Sequence, residues 1–182
     1  THTHTHTHIL TASGGLKSLS LHSGWAPYGH GYVAPKFVIN GNICVVSGLI
    51  KGTGTHLTTL PVGCRPNKRI IFNLNNHQST LRVDVLRNGQ VHFVAGHWRH
   101  GWINLDGIQF AVSHRHNVRL ASRWRAYGHS YGHPTYTKTG HICEVEGLIR
   151  SGHWGHAMAV LPGNCRPRKR LIFNLNNHVK PA

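Results

Sequence analysis

The chain has 182 residues, with 20 lysines and arginines against four acids, 19 histidines and a net charge of +16. Its apolar share of 39 % suffices for one large domain or two of about 100 residues, and no stretch approaches the roughly 20 apolar residues that span a bilayer. A surface this basic attracts polyanions such as acidic or sulfated glycans, anionic membranes or nucleic acid, and protonation of the histidines more than doubles the charge.

Residues 1–15 open with strict Thr-His alternation. In an extended strand His2, His4, His6 and His8 share one face. Alternate imidazoles then stand roughly 6.5–7 Å apart, so neighbours share Zn, Cu or Ni only where the backbone bends or another chain helps. A low-complexity solvated or strand-pairing tail, or an engineered tag, is the alternative reading. Nothing else in the chain calls for a cofactor.

From residue 16 to 112 the signals are those of strands. Lys36-Phe-Val-Ile39 and Ile43-Cys-Val-Val46 flank an Asn40-Gly41 turn, and Lys68 to Leu74 is a further strand. Leu81-Arg-Val-Asp-Val-Leu86 alternates like a half-buried strand, and Asn88-Gly89 turns it towards Gln90-Val-His-Phe-Val94. Residues 101–111 supply one or two more, whereas no helical period of apolar residues occurs. Seven or eight short strands in about 95 residues predict an antiparallel β-sandwich or a small barrel. Residues 113–117, with His114 and His116, read as a polar linker.

Residues 118–182 repeat the first unit. Trp25, Tyr28, Gly29, His30 and Tyr32 recur 99 positions later as Trp124, Tyr127, Gly128, His129 and Tyr131. Cys44 and Gly48-Leu-Ile50 recur as Cys143 and Gly147-Leu-Ile149. After a two-residue insertion, Cys64-Arg-Pro recurs as Cys165-Arg-Pro, and Ile71-Phe-Asn-Leu-Asn-Asn-His77 recurs without change from Ile172 to His178. Within these residues the second copy lacks everything corresponding to about 80–112. A sandwich without those strands exposes edges and an uncovered apolar face. The sequence being a fragment of a longer chain, completion by another subunit's strands, and a disordered second copy compete, in that order of preference.

One cysteine pair per copy, spaced by 20 and 22 residues, favours Cys44–Cys64 and Cys143–Cys165 disulfides and an oxidising, secreted setting. Four cysteines nevertheless allow three pairings.

The set Gly-Trp, Tyr-Gly-His-Gly-Tyr, Gly-Leu-Ile-Lys, Cys-Arg-Pro, Lys-Arg-Ile-Ile-Phe, Arg-Val-Asp-Val-Leu and Asn-Gly-Gln-Val resembles a tandem β-sandwich module. Such modules occur in phage tail-fibre and tail-tip proteins and in Cys/His-rich extracellular proteins of algae and other protists. The resemblance covers residues 16–112 and 118–180. It implies a surface-exposed, multimeric module for adhesion, glycan contact or filament building, and the Thr-His tract lies outside it.

Candidate glycan contacts are Trp25, Tyr28, His30 and Tyr32, their repeats Trp124, Tyr127, His129 and Tyr131, and Trp98 and Trp102. Flat aromatic faces beside polar side chains suit sugar rings, although core or corner packing explains the same residues. Arg65, Lys68 and Arg69, with Arg166, Arg168, Lys169 and Arg170, form recurring basic patches suited to polyanions. Nucleic acid is disfavoured because no recognised binding motif accompanies the charge. Asp84, in mid-strand, reads as a salt-bridge partner, and neither a paired-carboxylate site nor a nucleophile motif is evident. The expectation is an extracellular, non-enzymatic structural protein that self-associates into a filament, coat or matrix. A lectin-like glycan binder and a His-rich metal-linked adhesive protein are the alternatives.

Overall fold

The computed structural model describes residues 15–96 and 100–175. The Thr-His tract, Trp98 and His178 lie outside the described residues. The fold is all-β, built from antiparallel sheets with no closed barrel.

In the first repeat, β1 (Lys17–Ser18), β3 (Lys36–Asn40), β4 (Ile43–Ser47) and β11 (Gln109–Ala111) form one sheet in the order β1-β3-β4-β11. A three-stranded sheet places β5 (Leu49–Gly52) between β10 (Trp102–Asn104) and β2 (Trp25–Pro27). The third runs β6 (His56–Thr59), β9 (Gln90–Gly96), β8 (Ser79–Val85), β7 (Ile70–Asn76). Alternation decides which side chains meet: Leu81, Val83 and Val85 of β8 enter the core with Leu74, Val91, Ile103 and Phe110. The disulfide Cys44–Cys64 is buried in the same core, its Cα atoms 5.4 Å apart.

The predicted hairpins form. The Asn88-Gly89 turn is capped by Asn88 Oδ1, which accepts from the Gln90 amide at 3.1 Å, and Gly89 has a φ of +89°. The earlier turn sits one residue further on than expected. Asn40 pairs with Ile43, so Gly41 and Asn42 make the loop, and the left-handed φ falls on Gly41.

The second repeat rebuilds the opening half of the first. Its strands are β12 (His116–Asn117), β13 (Arg119–Leu120), β14 (Arg125–Ala126), β15 (Thr135–Thr139), β16 (Ile142–Glu146), β17 (Ile149–Arg150) and β18 (Ala159–Val160). Backbone bonds recur in register: Leu19 N to Pro35 O becomes Val118 N to Pro134 O, and Tyr28 N to Leu49 O becomes Tyr127 N to Leu148 O. The Cys143–Cys165 disulfide is formed, with Cα atoms 5.7 Å apart. His116 and Asn117, expected in the linker, instead pair with Tyr136 and Thr135 as β12, just as β1 pairs with β3. A two-residue strand carries no period, which hid it in the sequence.

Two glycines show why this half is reproducible. Gly48 (φ +117°) and Gly147 (φ +126°) each hold a backbone conformation that L side chains rarely adopt. A Cβ on either would sit 2.6–2.8 Å from the backbone of residues 34–35 or 133–134. The close crossing of two chain segments therefore requires glycine in both copies.

Candidate functional site

The second repeat is open where the first is closed. In the first repeat β11 pairs with β4, β10 with β5, β9 with β6, and β8 with β7. Among the described residues no strand plays those four roles beside β16, β17, β18 or residues 171–175. The apolar positions record the loss. Val46, Leu57 and Leu74 are 0 %, 0 % and 1 % exposed, whereas their repeats Val145, Met158 and Leu175 are 48 %, 38 % and 63 % exposed. Leu171, Ile172 and Phe173 are exposed too, so an apolar surface adjoins the unpaired edges of these strands.

A seam joins the open repeat to the closed one. Arg69 N donates to Ser130 O at 3.0 Å and Gly132 N donates to Arg69 O at 2.9 Å, a parallel bridge outside the main sheets. Asp84, on the outer face of β8, is fully buried. It accepts from Arg69 Nε at 2.5 Å and from Arg82 Nε and Nη2, both at 2.7 Å. Arg82 Nη2 also reaches the Tyr131 hydroxyl at 3.2 Å, and the Arg69 guanidinium lies 5.1 Å from the Tyr131 ring centre. The hydrogen bond to Asp84 raises the Arg82 pKa further above its already high ordinary value. The salt-bridging expected of Asp84 is thus present, and both faces of β8 are covered.

The other acids are equally engaged. Glu146 accepts from Arg115 Nε at 2.8 Å and from the Ala111 amide at 3.1 Å, and Arg115 also donates to the Ala111 carbonyl. Glu144 accepts from Gln109 Nε2 at 2.8 Å. Burial pushes its pKa up to about 7, opposed by the Gln109 bond and reinforced by the neighbouring Glu146. Asp106 accepts from the Gly48 amide at 2.8 Å.

The aromatic candidates divide. Trp25 and Trp124 are buried, and a ring enclosed by protein cannot stack on a sugar, so neither serves as a glycan platform. Trp102 is half-buried near His77 and His100. Tyr28 and Tyr32 meet edge to face with centroids 5.3 Å apart, and Tyr127 and Tyr131 repeat this at 5.4 Å. His30 and His129, at the two loop tips, both have left-handed φ values. In the first repeat Tyr32 and His30 are exposed, but in the second Tyr131 is committed to the seam.

Basic candidates divide as well. Arg65 and Arg166 brace the backbone, donating from Nε to Leu60 O at 2.9 Å and to Leu161 O at 2.7 Å. Arg69 belongs to the Asp84 cluster. Lys68 is exposed and lines an open cleft of about 590 Å³ with Arg69, Leu86, Arg87, Asn88 and Ser130. Arg168, Lys169 and Arg170 are exposed beside the open strand positions. No motif pointed to Arg87, which lines the same cleft as Lys68 beside the Asn88-Gly89 turn.

Among the described residues no group of three or more His, Cys, Asp or Glu side chains could hold a metal ion; the candidate ligands His2, His4, His6 and His8 lie outside them. His22, His56 and His92 stack in a row, with centroid separations of 4.1 and 4.8 Å. Burial, then the proximity of His56 and Arg69, lowers the His92 pKa. Scattered positions 34 and 36 residues apart gave this row no signature. No helix among the described residues is long and apolar enough to cross a membrane.

Fold and site together define an all-β protein with two disulfides, one closed repeat and one open repeat. No family model matches the chain, and no curated protein matches it. A solved structure similar to part of it is the receptor binding protein (gp15) of Listeria phage PSA, at 18 % identity and a TM-score of 0.45. That similarity covers 56 % of this chain and 66 % of the phage protein, just under two thirds of its length.

Proposed function

We propose that the chain is an extracellular, non-catalytic structural protein that assembles into a filament, coat or matrix through strands added to its open second repeat. The observation that carries this reading is the set of strands with one unpaired edge and the exposed apolar side chains at Val145, Met158, Leu171, Phe173 and Leu175. Burying one such side chain gains about 1.5–3 kcal/mol, so together they offer on the order of 10 kcal/mol before the costs of association. The disulfides favour an oxidising compartment. All four acids hold structural contacts.

Sedimentation velocity and electron microscopy of the purified chain test the reading. Association is expected, and Phe173→Asp with Leu175→Asp should return the chain to monomers. A wild-type chain that stays monomeric well above micromolar concentration would sink it.

A second reading, glycan binding, is favoured by the exposed Tyr28–His30–Tyr32 loop, beside which Lys51 lies 5.8 Å from the Tyr28 ring. Loss of glycan-array signal in Tyr32→Ala, with unchanged sedimentation, would support it.

A further inference from the structure

We infer that the open cleft at the seam between the repeats binds the sulfate groups of an acidic polysaccharide, held by Lys68, Arg69 and Arg87 of the first repeat and Ser130 of the second. The site is distinct from the Tyr28 loop, and the inference does not depend on the assembly reading.

Register builds the cleft. β7 and β8 pair with Ile70 opposite Val85. Lys68 and Arg69, just before the one strand, and Leu86 and Arg87, just after the other, therefore leave the sheet at the same end. The second repeat contributes a wall, since Ser130 lines the cleft and its carbonyl accepts from Arg69 N at 3.0 Å. The space of about 590 Å³ falls within the roughly 300–1,000 Å³ of small-molecule sites. It has room for a short saccharide segment.

The lining is rich in donors and holds no acid. Three cations and no carboxylate border the space. Asp84 is already taken by Arg69 Nε and Arg82. Glu146, which shares a smaller cavity of about 100 Å³ with Lys68, accepts from Arg115 Nε at 2.8 Å. Among the described residues Lys68 and Arg87 have neither an ion pair nor a side-chain hydrogen bond, and Arg69 donates only from Nε. Asn88 Oδ1 is occupied by the Gln90 amide, which leaves the Asn88 amide nitrogen to donate to a ligand. Ser130 adds a hydroxyl where the matching loop has Gly31, the one difference between residues 28–32 and 127–131. Like charges held together are destabilising. A bound anion converts that cost into attraction, and guanidinium forks match paired oxygens on a tetrahedral anion.

The remaining features favour sugar over nucleic acid. Half-buried Leu86 offers an apolar contact to the C–H face of a ring. No aromatic ring lines the cleft for a base to stack on; the nearby Tyr131 ring faces the Arg69 guanidinium at 5.1 Å. The two disulfides favour an oxidising compartment, where sulfated polysaccharides occur.

The experiment titrates the intact chain with a size-defined heparin hexasaccharide by calorimetry at about 0.15 M salt. One tight equivalent is expected, together with slower hydrogen exchange at the Gly132 amide, which bridges the repeats beside Ser130. Lys68→Gln with Arg87→Gln should weaken binding at least about tenfold. Arg168→Gln with Lys169→Gln removes the same charge from the corresponding run of the second repeat and should weaken it less than about twofold. All four residues are exposed, so both double variants should keep the wild-type unfolding temperature. The desulfated hexasaccharide should not bind. Absence of saturable binding, equal losses in the two double variants, or undiminished binding of the desulfated sugar overturns the inference. A single-stranded oligonucleotide of equal charge that binds as tightly through Lys68 and Arg87 overturns it in favour of nucleic acid.

Discussion

Replacing Asp84 by asparagine should destabilise the first repeat and loosen the second from it at once. The carboxylate has no exposure to solvent and serves three N–H donors, two from Arg82 and one from Arg69. Asparagine keeps the shape but removes the charge, leaving two guanidinium groups facing one another. Removing one member of a buried pair costs roughly 3–5 kcal/mol. The Arg69 and Arg82 side chains are 30 % and 15 % exposed, so water relieves part of the penalty and the lower end, about 3 kcal/mol, is expected. Urea unfolding followed by tryptophan fluorescence reads the loss. Hydrogen exchange at Gly132, whose amide donates to Arg69 O, reads the loosening of the seam. Tyr131→Phe removes only the 3.2 Å bond from Arg82 and should cost about 0.5–1.5 kcal/mol. Combining Asp84→Leu with Arg69→Met and Arg82→Met should recover much of the stability, because an apolar replacement leaves no uncompensated charge. A loss below about 1 kcal/mol for Asp84→Asn, or a triple variant worse than the single, would refute the assignment of the cluster as a coupled, desolvated unit.

Two titrations should oppose one another. Glu144 has its pKa raised to about 7 from 4.5, so its contribution is most favourable below the unfolded value and declines as pH rises through about 7; Glu144→Gln should abolish that decline in a pH series of unfolding curves. His92 has its pKa lowered from 6.5, so its contribution is present above that value and lost as pH falls through it towards the folded pKa, and His92→Gln should remove this acid-side loss. Reduction of the disulfides should cost about 3 kcal/mol per bridge in the chain-entropy account, measured by urea unfolding with and without dithiothreitol. Gly48→Ala and Gly147→Ala should each cost at least about 1–3 kcal/mol from the left-handed backbone alone, with thermal unfolding as the readout; a neutral outcome at either would contradict the close crossing there.

Local signals carried much of the fold. The alternation of residues 81–86 and the Asn88-Gly89 pair sufficed for β8 and β9, because register and turn are written in adjacent residues. At the first hairpin the same rule placed the turn one residue early, since Asn40 and Gly41 fit a turn as well as Gly41 and Asn42. Spacing within each repeat anticipated both disulfides. What sequence could not place was contact at a distance. Gln109 meets Glu144, and Arg82 meets Tyr131, only because β11 and β8 turn their outer faces to the second repeat. Residue type misled where one chemistry serves two ends: a recurring tryptophan suits a sugar or a core, and Trp25 and Trp124 are buried. The arginine after each second cysteine suits a polyanion and also braces the fold, since Arg65 and Arg166 each donate Nε to a carbonyl. The open face itself was legible as a missing third, whereas the exposed positions on it required the geometry.

Charge sets the terms on which such a chain can assemble. With a net charge of +16 and only four acids, every acid is tied to an internal donor, and three of them, Asp84, Glu144 and Glu146, lie at the seam between repeats. The acids therefore glue repeats within a chain and leave little negative surface for another chain to meet. Exposed Arg168, Lys169 and Arg170 stand immediately before the apolar positions 171–175, so two chains approaching through that edge bring like charges together. Repulsion of this kind is damped beyond the Debye length, about 10 Å at 0.1 M salt, and far less in dilute buffer. On the proposed reading, association through the apolar edge should therefore strengthen as salt rises, and the sedimentation test belongs at about 0.1 M salt or above. On the proposed assembly reading the basic patches would act as an electrostatic control: a bound polyanion would lower the barrier to approach, and β pairing would then decide which surfaces join.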